Sequence, residues 1–100
     1  MKEITVSELK KRLAAPQRPF LLDVRQPAEF AESHIDGAVL IPLNELGKRI
    51  GELDANAEIV VNCKAGGRSA RACEYLESQG FRDVTNLLGG NDQWQDESDS

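Results

Sequence analysis

Five short runs of valine, isoleucine, leucine and other apolar residues recur along this chain, separated by segments with helical spacing. The runs over residues 20–24, 38–41 and 59–61 are almost continuously apolar, which is typical of strands that are buried on both faces of a parallel sheet. Successive parallel strands need a crossover connection, and a helix usually supplies it. The pattern therefore predicts an α/β fold in which helices cover both faces of a parallel sheet.

The bounds of the predicted elements follow from this pattern and from the residues at their ends. Pro27 suits the first turn of a helix, Pro42 ends a strand because it has no N–H to donate, and Gly80 suits a left-handed helix stop. Strands are predicted over residues 4–6, 20–24, 38–41, 59–61 and 84–87. Helices are predicted over residues 7–14, 27–32, 44–50 and 69–79, with a last short turn around residues 92–94.

The size and composition of the chain indicate one globular domain. A chain of 100 residues buries roughly 60–70% of its unfolded surface, which suffices for a stable core. Apolar residues make up 40% of the chain and charged residues 29%, as in ordinary globular proteins. We expect a domain over residues 1–95, followed by an acidic, disordered tail over residues 96–100.

Charge and hydropathy argue against several kinds of partner. The net charge of −5 disfavours nucleic acid and anionic membrane surfaces. No apolar run approaches the roughly 18 residues of a membrane span, and the first residues lack the basic and apolar regions of a secretory signal. We therefore expect no membrane association and a cytoplasmic location.

The segment over residues 58–69 is the most informative part of the sequence, because an apolar strand runs into Cys63, then a glycine pair, then a helix. In an open parallel sheet this order places Cys63 at the carboxyl edge, where ligands bind. Gly66 and Gly67 allow successive N–H groups to point into one concavity, and the helix N-terminus adds further unpaired N–H groups. The loop is therefore predicted to stabilise negative charge on sulfur.

Two cations follow this cysteine closely. A thiol beside Lys64 and Arg68, at a helix N-terminus, ionises at lower pH than a free thiol. We predict that Cys63 is the catalytic nucleophile, although the sequence leaves room for one of the cations to be held in a structural ion pair. The alternative is a small buried cysteine at a strand end, which would need neither glycines nor cations. The predicted substrate-binding residues are Lys64, Ala65, Gly66, Gly67 and Arg68.

The remaining candidate residues are interpreted as structural. Cys73 shares a helix face with apolar residues, so we expect a core position rather than a resolving role in a redox pair, and no disulfide in a reducing compartment. His34 stands alone in a predicted turn and is interpreted as a hydrogen-bonding residue rather than a base, and Trp94 as a packed side chain. Two cysteines and one histidine lack the spacing of a metal site, so neither metal nor cofactor is predicted.

These motifs together resemble the rhodanese superfamily across nearly the whole chain. The resemblance is carried by the order and spacing of Ile4-Thr5-Val6-Ser7-Glu8-Leu9, Leu22-Asp23-Val24-Arg25 with Glu29-Phe30, His34-Ile35-Asp36-Gly37-Ala38, Ile41-Pro42-Leu43, the loop from Cys63 to Ser69, and Gly89-Gly90 with Trp94. It implies a five-stranded parallel sheet flanked by helices on both faces, with Cys63 as the catalytic cysteine. It also implies that Asp23 and Arg25 support the structure rather than the chemistry.

The same resemblance implies a sulfurtransferase. Such proteins take sulfane sulfur from thiosulfate or a protein persulfide such as that of a desulfurase, hold it as a cysteine persulfide, and pass it to cyanide, a thiol or a sulfur-carrier protein. Relatives that process phosphate or arsenate have a cysteine loop one residue longer than the Cys63 to Arg68 spacing found here. Phosphate or arsenate chemistry and a noncatalytic interaction module are the two alternatives.

Overall fold

A computed structural model describes residues 1–99 of the chain. Its strands are β1 (Lys2–Ile4), β2 (Phe20–Asp23), β3 (Val39–Leu40), β4 (Ile59–Asn62) and β5 (Val84–Leu87). Its α-helices are α1 (Val6–Ala14), α2 (Pro27–Glu32), α3 (Leu46–Arg49), α4 (Gly67–Ser78) and α5 (Gly90–Asp99), and two 3-10 turns flank α3, at Leu43–Glu45 and Ile50–Glu52. None of the helices in residues 1–99 is long and apolar enough to cross a membrane.

The five strands form one parallel sheet in the order β1-β5-β4-β2-β3. The central strand β4 has a neighbour on each side, and all four of its residues are buried. Cys63 follows β4 directly, so it lies at the carboxyl edge in the middle of the sheet. The prediction of a five-stranded parallel sheet is confirmed.

Two apolar clusters cover the two faces of this sheet. Leu21 and Val60 belong to a cluster that includes residues of α1, whereas Leu22 and Val61 belong to a cluster that includes residues of α4. Neighbouring residues of a strand point to opposite faces, so the two clusters lie on opposite sides of the sheet. The apolar runs of the sequence are continuous for this reason, and the prediction of helices on both faces is confirmed.

The predicted first strand is displaced in the structure. It was expected over residues 4–6 but ends at Ile4, because Thr5 caps α1 and Val6 already belongs to the helix. The Thr5 hydroxyl accepts a hydrogen bond from the Glu8 N–H at 3.1 Å, and the Glu8 carboxylate accepts one from the Thr5 N–H at 3.0 Å. This reciprocal capping box fixes the start of α1 at Thr5, so Val6 belongs to the helix rather than to the short edge strand.

Two predicted elements in the middle of the chain are also shorter or less regular than expected. The strand predicted over residues 38–41 is reduced to Val39–Leu40, and the helix predicted over residues 44–50 is divided into α3 and its flanking 3-10 turns. Pro42 precedes the first of these turns and ends the strand as predicted. Gly80 has a φ of 90° and ends α4, also as predicted.

The last helix is longer than the sequence predicts. The short turn expected around residues 92–94 is part of α5, a ten-residue helix. Hydrogen bonds to α1 accompany this length: the Ser7 hydroxyl donates to Glu97 at 3.0 Å, and the Lys10 ammonium donates to Ser98 at 3.3 Å. The helix crosses the predicted domain boundary at residue 95, which stays a prediction, and Ser100 of the predicted tail lies outside the described residues.

A buried ion pair ties β2 to the end of α2. The Arg25 guanidinium donates to the Asp23 carboxylate at 2.8 and 3.0 Å and to the Ser33 carbonyl at 2.8 Å. The side chains of Asp23 and Arg25 are only 0% and 4% exposed. Both residues therefore fix the backbone that presents α2 to the cysteine loop, which agrees with the structural role that the resemblance implies.

Candidate functional site

Cys63 lies in the turn between β4 and α4, and its side chain is buried. Gly66 caps α4 with a φ of 112°, a left-handed conformation that a glycine adopts without strain. This conformation turns the Gly66 N–H toward the sulfur, to which it donates a hydrogen bond at 3.0 Å. Of the glycine pair, Gly66 thus shapes the turn around Sγ, whereas Gly67 is the first residue of α4.

Ser69 supplies a second polar contact to the sulfur, at 3.2 Å between Oγ and Sγ. The same hydroxyl donates to the Asn86 side-chain carbonyl at 2.5 Å, while the Asn86 amide donates to the Gly66 carbonyl at 3.3 Å. A hydroxyl carries a single hydrogen, so Ser69 can donate to a thiolate only by releasing Asn86. Asn86 therefore positions both the hydroxyl and the turn that holds the sulfur.

These contacts govern the ionisation of the Cys63 thiol. Burial alone would raise the pKa of the Cys63 thiol, but hydrogen bonds from the Ser69 hydroxyl and from the backbone N–H groups of Ser69, Gly66 and Ala65 outweigh it and lower the pKa from its ordinary value. Hydrogen bonds to the charged form favour that form. The loop thus favours the anionic form of the sulfur, which is the form that reacts.

A Ser69→Ala variant is expected to raise the pKa of Cys63, because the alanine cannot donate to the thiolate. The thiolate fraction at neutral pH then falls, and the rate of Cys63 alkylation by iodoacetamide should drop about tenfold, with its pH profile displaced to higher pH. Ser78→Ala at the exposed end of α4 is the matched control and should leave the profile unchanged. Identical profiles for the Ser69 variant and the unaltered protein would contradict this role.

Arg68 forms a bidentate ion pair with Glu29 of α2, at 2.7 and 2.8 Å. Hydrogen bonding to Arg68 lowers the pKa of Glu29 to about 2. A depressed carboxyl pKa stabilises the fold above the ordinary range near pH 4.5, and that contribution is lost as the pH falls toward 2. The pair therefore joins α2 to the cysteine loop at every pH above the acid range.

Lys64 is paired as well. Its ammonium donates to both carboxylate oxygens of Asp92, at 2.9 and 3.2 Å, and both side chains are exposed. The sequence leaves room for one loop cation in a structural ion pair, whereas the structure pairs both. Nothing in the sequence near Cys63 indicates either partner, because Glu29 and Asp92 come from helices 34 residues before it and 29 residues after it.

The start of α5 holds the other side of the loop. The Asn91 N–H donates to the Cys63 carbonyl at 2.8 Å, and the Asp92 N–H donates to the Lys64 carbonyl at 3.0 Å. Gly90 has a φ of 55°, and a Cβ at this position would lie only 2.5 and 2.6 Å from those two carbonyl oxygens. The second glycine of the Gly89-Gly90 motif is therefore required for close approach of the helix to the cysteine loop.

The other sequence candidates take structural positions. Cys73 is a free, buried thiol in the core cluster beside α4, and burial raises its pKa to about 12, as expected of a core residue. His34 contacts the Phe30 carbonyl through Nδ1 at 2.8 Å and stacks on the Phe30 ring. Trp94 packs against the apolar cluster on the α1 face. These contacts are those that the structural interpretation expects, whereas the absence of a redox role for Cys73 and of a base role for His34 stays a prediction.

Comparison with known proteins gives consistent matches. A family model described as a rhodanese-like domain matches residues 5–97. A sulfurtransferase of Allochromatium vinosum is 38% identical over 92% of this chain and 86% of its own length. The probable adenylyltransferase/sulfurtransferase MoeZ of Mycobacterium tuberculosis is 40% identical over 91% of this chain, which corresponds to 24% of that longer protein.

A solved structure agrees with these relatives. The protein SSP1007 from Staphylococcus saprophyticus superimposes with a TM-score of 0.91 at 38% identity, and the match covers 97% of this chain and 96% of that one. The likeness therefore extends over the whole sheet and its helices rather than over the cysteine loop alone. The chain belongs to the family of rhodanese-like domains and, at the level of that family, is a sulfurtransferase.

Proposed function

We propose that Cys63 carries sulfane sulfur as a persulfide between a donor and a thiophilic acceptor. The observation that carries this proposal is the convergence of the Gly66 N–H and the Ser69 hydroxyl on a buried sulfur at the carboxyl edge of the sheet. The Gly66 N–H already points at the sulfur and stabilises its negative charge without reorganising, whereas the Ser69 hydroxyl does so once it releases Asn86. A thiolate that is already formed needs no general base.

The first half-reaction transfers one sulfur atom to the enzyme. The Cys63 thiolate attacks the outer sulfur of the donor, and the donor's sulfur–sulfur bond breaks as the new bond forms. The bonding electron pair leaves with the remainder of the donor, as sulfite from thiosulfate or as a thiolate from a persulfide. The outer sulfur on Cys63 is then an anion, and the backbone N–H groups from Lys64 to Arg68 are the predicted donors to it.

The second half-reaction returns the enzyme to its thiolate. An acceptor nucleophile attacks the outer sulfur of the Cys63 persulfide, the enzyme's sulfur–sulfur bond breaks, and its electron pair restores the Cys63 thiolate. Cyanide becomes thiocyanate in this step, and a thiol, either free or on a sulfur-carrier protein, becomes a persulfide. No external oxidant or reductant is needed, because the sulfur atom keeps its oxidation level throughout.

The proposal includes a protein partner in sulfur chemistry and a cytoplasmic setting. One relative is named as both an adenylyltransferase and a sulfurtransferase, which supports transfer to or from another protein. Both cysteines are free in the structure, as a reducing compartment requires. The donor is a small sulfur anion or a persulfide-bearing protein such as a desulfurase, and the acceptor is a thiol or a sulfur carrier.

Mass spectrometry of the loaded protein tests the proposal. Incubation with thiosulfate or cysteine persulfide should add about 32 Da, the mass of one sulfur atom, to the peptide that contains Cys63. Cyanide should then remove that mass and release thiocyanate in equal amount. Absence of both the added mass and the thiocyanate with every donor would overturn the proposal, and hydrolysis of an aryl phosphate would favour phosphate chemistry instead.

A further inference from the structure

Lys64 is held by Asp92 at two points. The carboxylate of Asp92 accepts from the Lys64 ammonium at 2.9 and 3.2 Å, and the backbone N–H of Asp92 donates to the Lys64 carbonyl at 3.0 Å. The backbone contact fixes where the carboxylate stands relative to the residue that follows the nucleophile. The ion pair therefore has a fixed geometry, unlike a pairing of two mobile surface side chains.

The two cations that follow Cys63 most closely in the sequence, Lys64 and Arg68, are each neutralised by an ion pair. Arg68 is matched by Glu29, and Lys64 by Asp92. The cleft of about 210 Å³ beside Lys64 is lined by three carboxylates, those of Glu29, Glu32 and Asp92, and by two cations, Lys64 itself and Arg25, which is paired with Asp23. The hydrogen-bonding contacts to the sulfur itself come from uncharged groups, namely the Gly66 N–H and the Ser69 hydroxyl.

This charge balance affects the two classes of sulfur donor unequally. Thiosulfate carries two negative charges, whereas cysteine persulfide carries one net negative charge. Coulomb energy is proportional to charge, so a free cation beside the sulfur favours the dianion by about twice the free energy that it gives the monoanion. Neutralising that cation therefore penalises thiosulfate more than a persulfide.

We propose that Asp92 is a positioning residue that sets donor specificity: by holding Lys64, it keeps Cys63 selective for singly charged persulfide donors over the thiosulfate dianion. This inference rests on the proposed function, because it concerns which donor loads Cys63. Asp92 acts through Lys64 and has no contact with the sulfur among those described. The donor class that follows is a persulfide on a small thiol or on a protein.

An Asp92→Asn variant tests the inference, because the amide keeps the size of the side chain but releases the ammonium. The second-order rate of sulfur loading, kcat/KM, should rise about tenfold for thiosulfate and about threefold for cysteine persulfide, with the gain in KM. The thiosulfate rate of the variant should also fall more steeply with ionic strength. Asp92→Glu, which restores the carboxylate, should return the donor ratio toward that of the unaltered protein.

Two further variants separate this effect from general charge and from structure. Asp96→Asn removes the same charge from an exposed position of α5 and should leave the donor ratio unchanged. The gain produced by Asp92→Asn should disappear when it is measured in a Lys64→Gln background, as a double-mutant cycle requires of residues that act together. Unfolding midpoints of all variants confirm that rates are compared between folded proteins.

Equal changes for both donors, no change for thiosulfate, or a gain that persists without Lys64 would each overturn the inference while leaving the proposed function intact. Failure of both donors to load sulfur on the unaltered protein would overturn the proposed function, and this inference with it. The two failures are therefore distinguished by the unaltered protein alone.

Discussion

A Cys63→Ser variant is expected to lose sulfur loading by at least about a thousandfold, because the chemistry requires a thiolate and an alcohol does not ionise near neutral pH. The serine oxygen fits the same small cradle formed by Gly66 and Ser69, so the fold should be preserved. Thiocyanate production and the mass of the intact protein after incubation with donor both measure the loss. Unfolding by urea should remain near that of the unaltered protein.

Cys73 offers a matched control for this experiment. It is the only other cysteine of the sequence, and it lies buried in α4 with its pKa raised to about 12. A Cys73→Ala variant should therefore be destabilised by lost packing yet still gain one sulfur atom per molecule. If Cys63→Ser still gained sulfur and Cys73→Ala did not, the persulfide would lie on Cys73, and the mechanism would be contradicted.

An Arg25→Met variant is expected to lose about 3–5 kcal/mol of unfolding free energy, since it leaves the Asp23 carboxylate buried without its charged partner. The same substitution removes the hydrogen bond to the Ser33 carbonyl at the end of α2. Methionine fills much of the arginine volume, so lost charge pairing rather than a large cavity accounts for the effect. Equilibrium unfolding in urea, analysed for both midpoint and slope, provides the measurement.

Two comparisons isolate the buried charge as the cause. An Arg25→Met and Asp23→Asn double variant should be less destabilised than the sum of the two single variants, because neither side chain is then left charged and unpaired. Arg12→Met breaks a more exposed pair with Glu58 and should cost far less. Equal losses for Arg12→Met and Arg25→Met would show that burial of the Asp23 pair is not what stabilises this region.

The sheet could be predicted from the sequence because strands buried on both faces leave a local apolar signal. The first strand was misplaced because Val6 looks equally apolar in a strand or in the first turn of a helix. Thr5 and Glu8 carry the capping signal that decides between them. The length of α5 left no comparable signal, since its polar residues depend on distant contacts between Ser7 and Glu97 for support.

The position of the cysteine loop was predictable for a similar reason, because Cys63 and its glycines lie in one short segment. Asn86 was not, because it comes from β5, and the sequence does not reveal that β5 is the neighbour of β4. Glu29 and Asp92 were not predicted as partners of the loop either, because each is brought to it by the packing of a separate helix. The chemistry of the loop itself could thus be predicted from the sequence, whereas the groups that adjust it depend on the order of the strands and the packing of the helices.

The hydrogen bonds from the start of α5 to the cysteine loop provide a spectroscopic probe of the site. The Asn91 and Asp92 amides donate to the carbonyls of Cys63 and Lys64, so each exchanges its hydrogen with solvent only when loop and helix separate. Hydrogen–deuterium exchange at these two amides therefore reports opening of the loop without any label on the sulfur. Slower exchange after sulfur loading would mean that the bound sulfur holds the loop more firmly against α5. Faster exchange would mean that the bound sulfur loosens this contact before the sulfur is released.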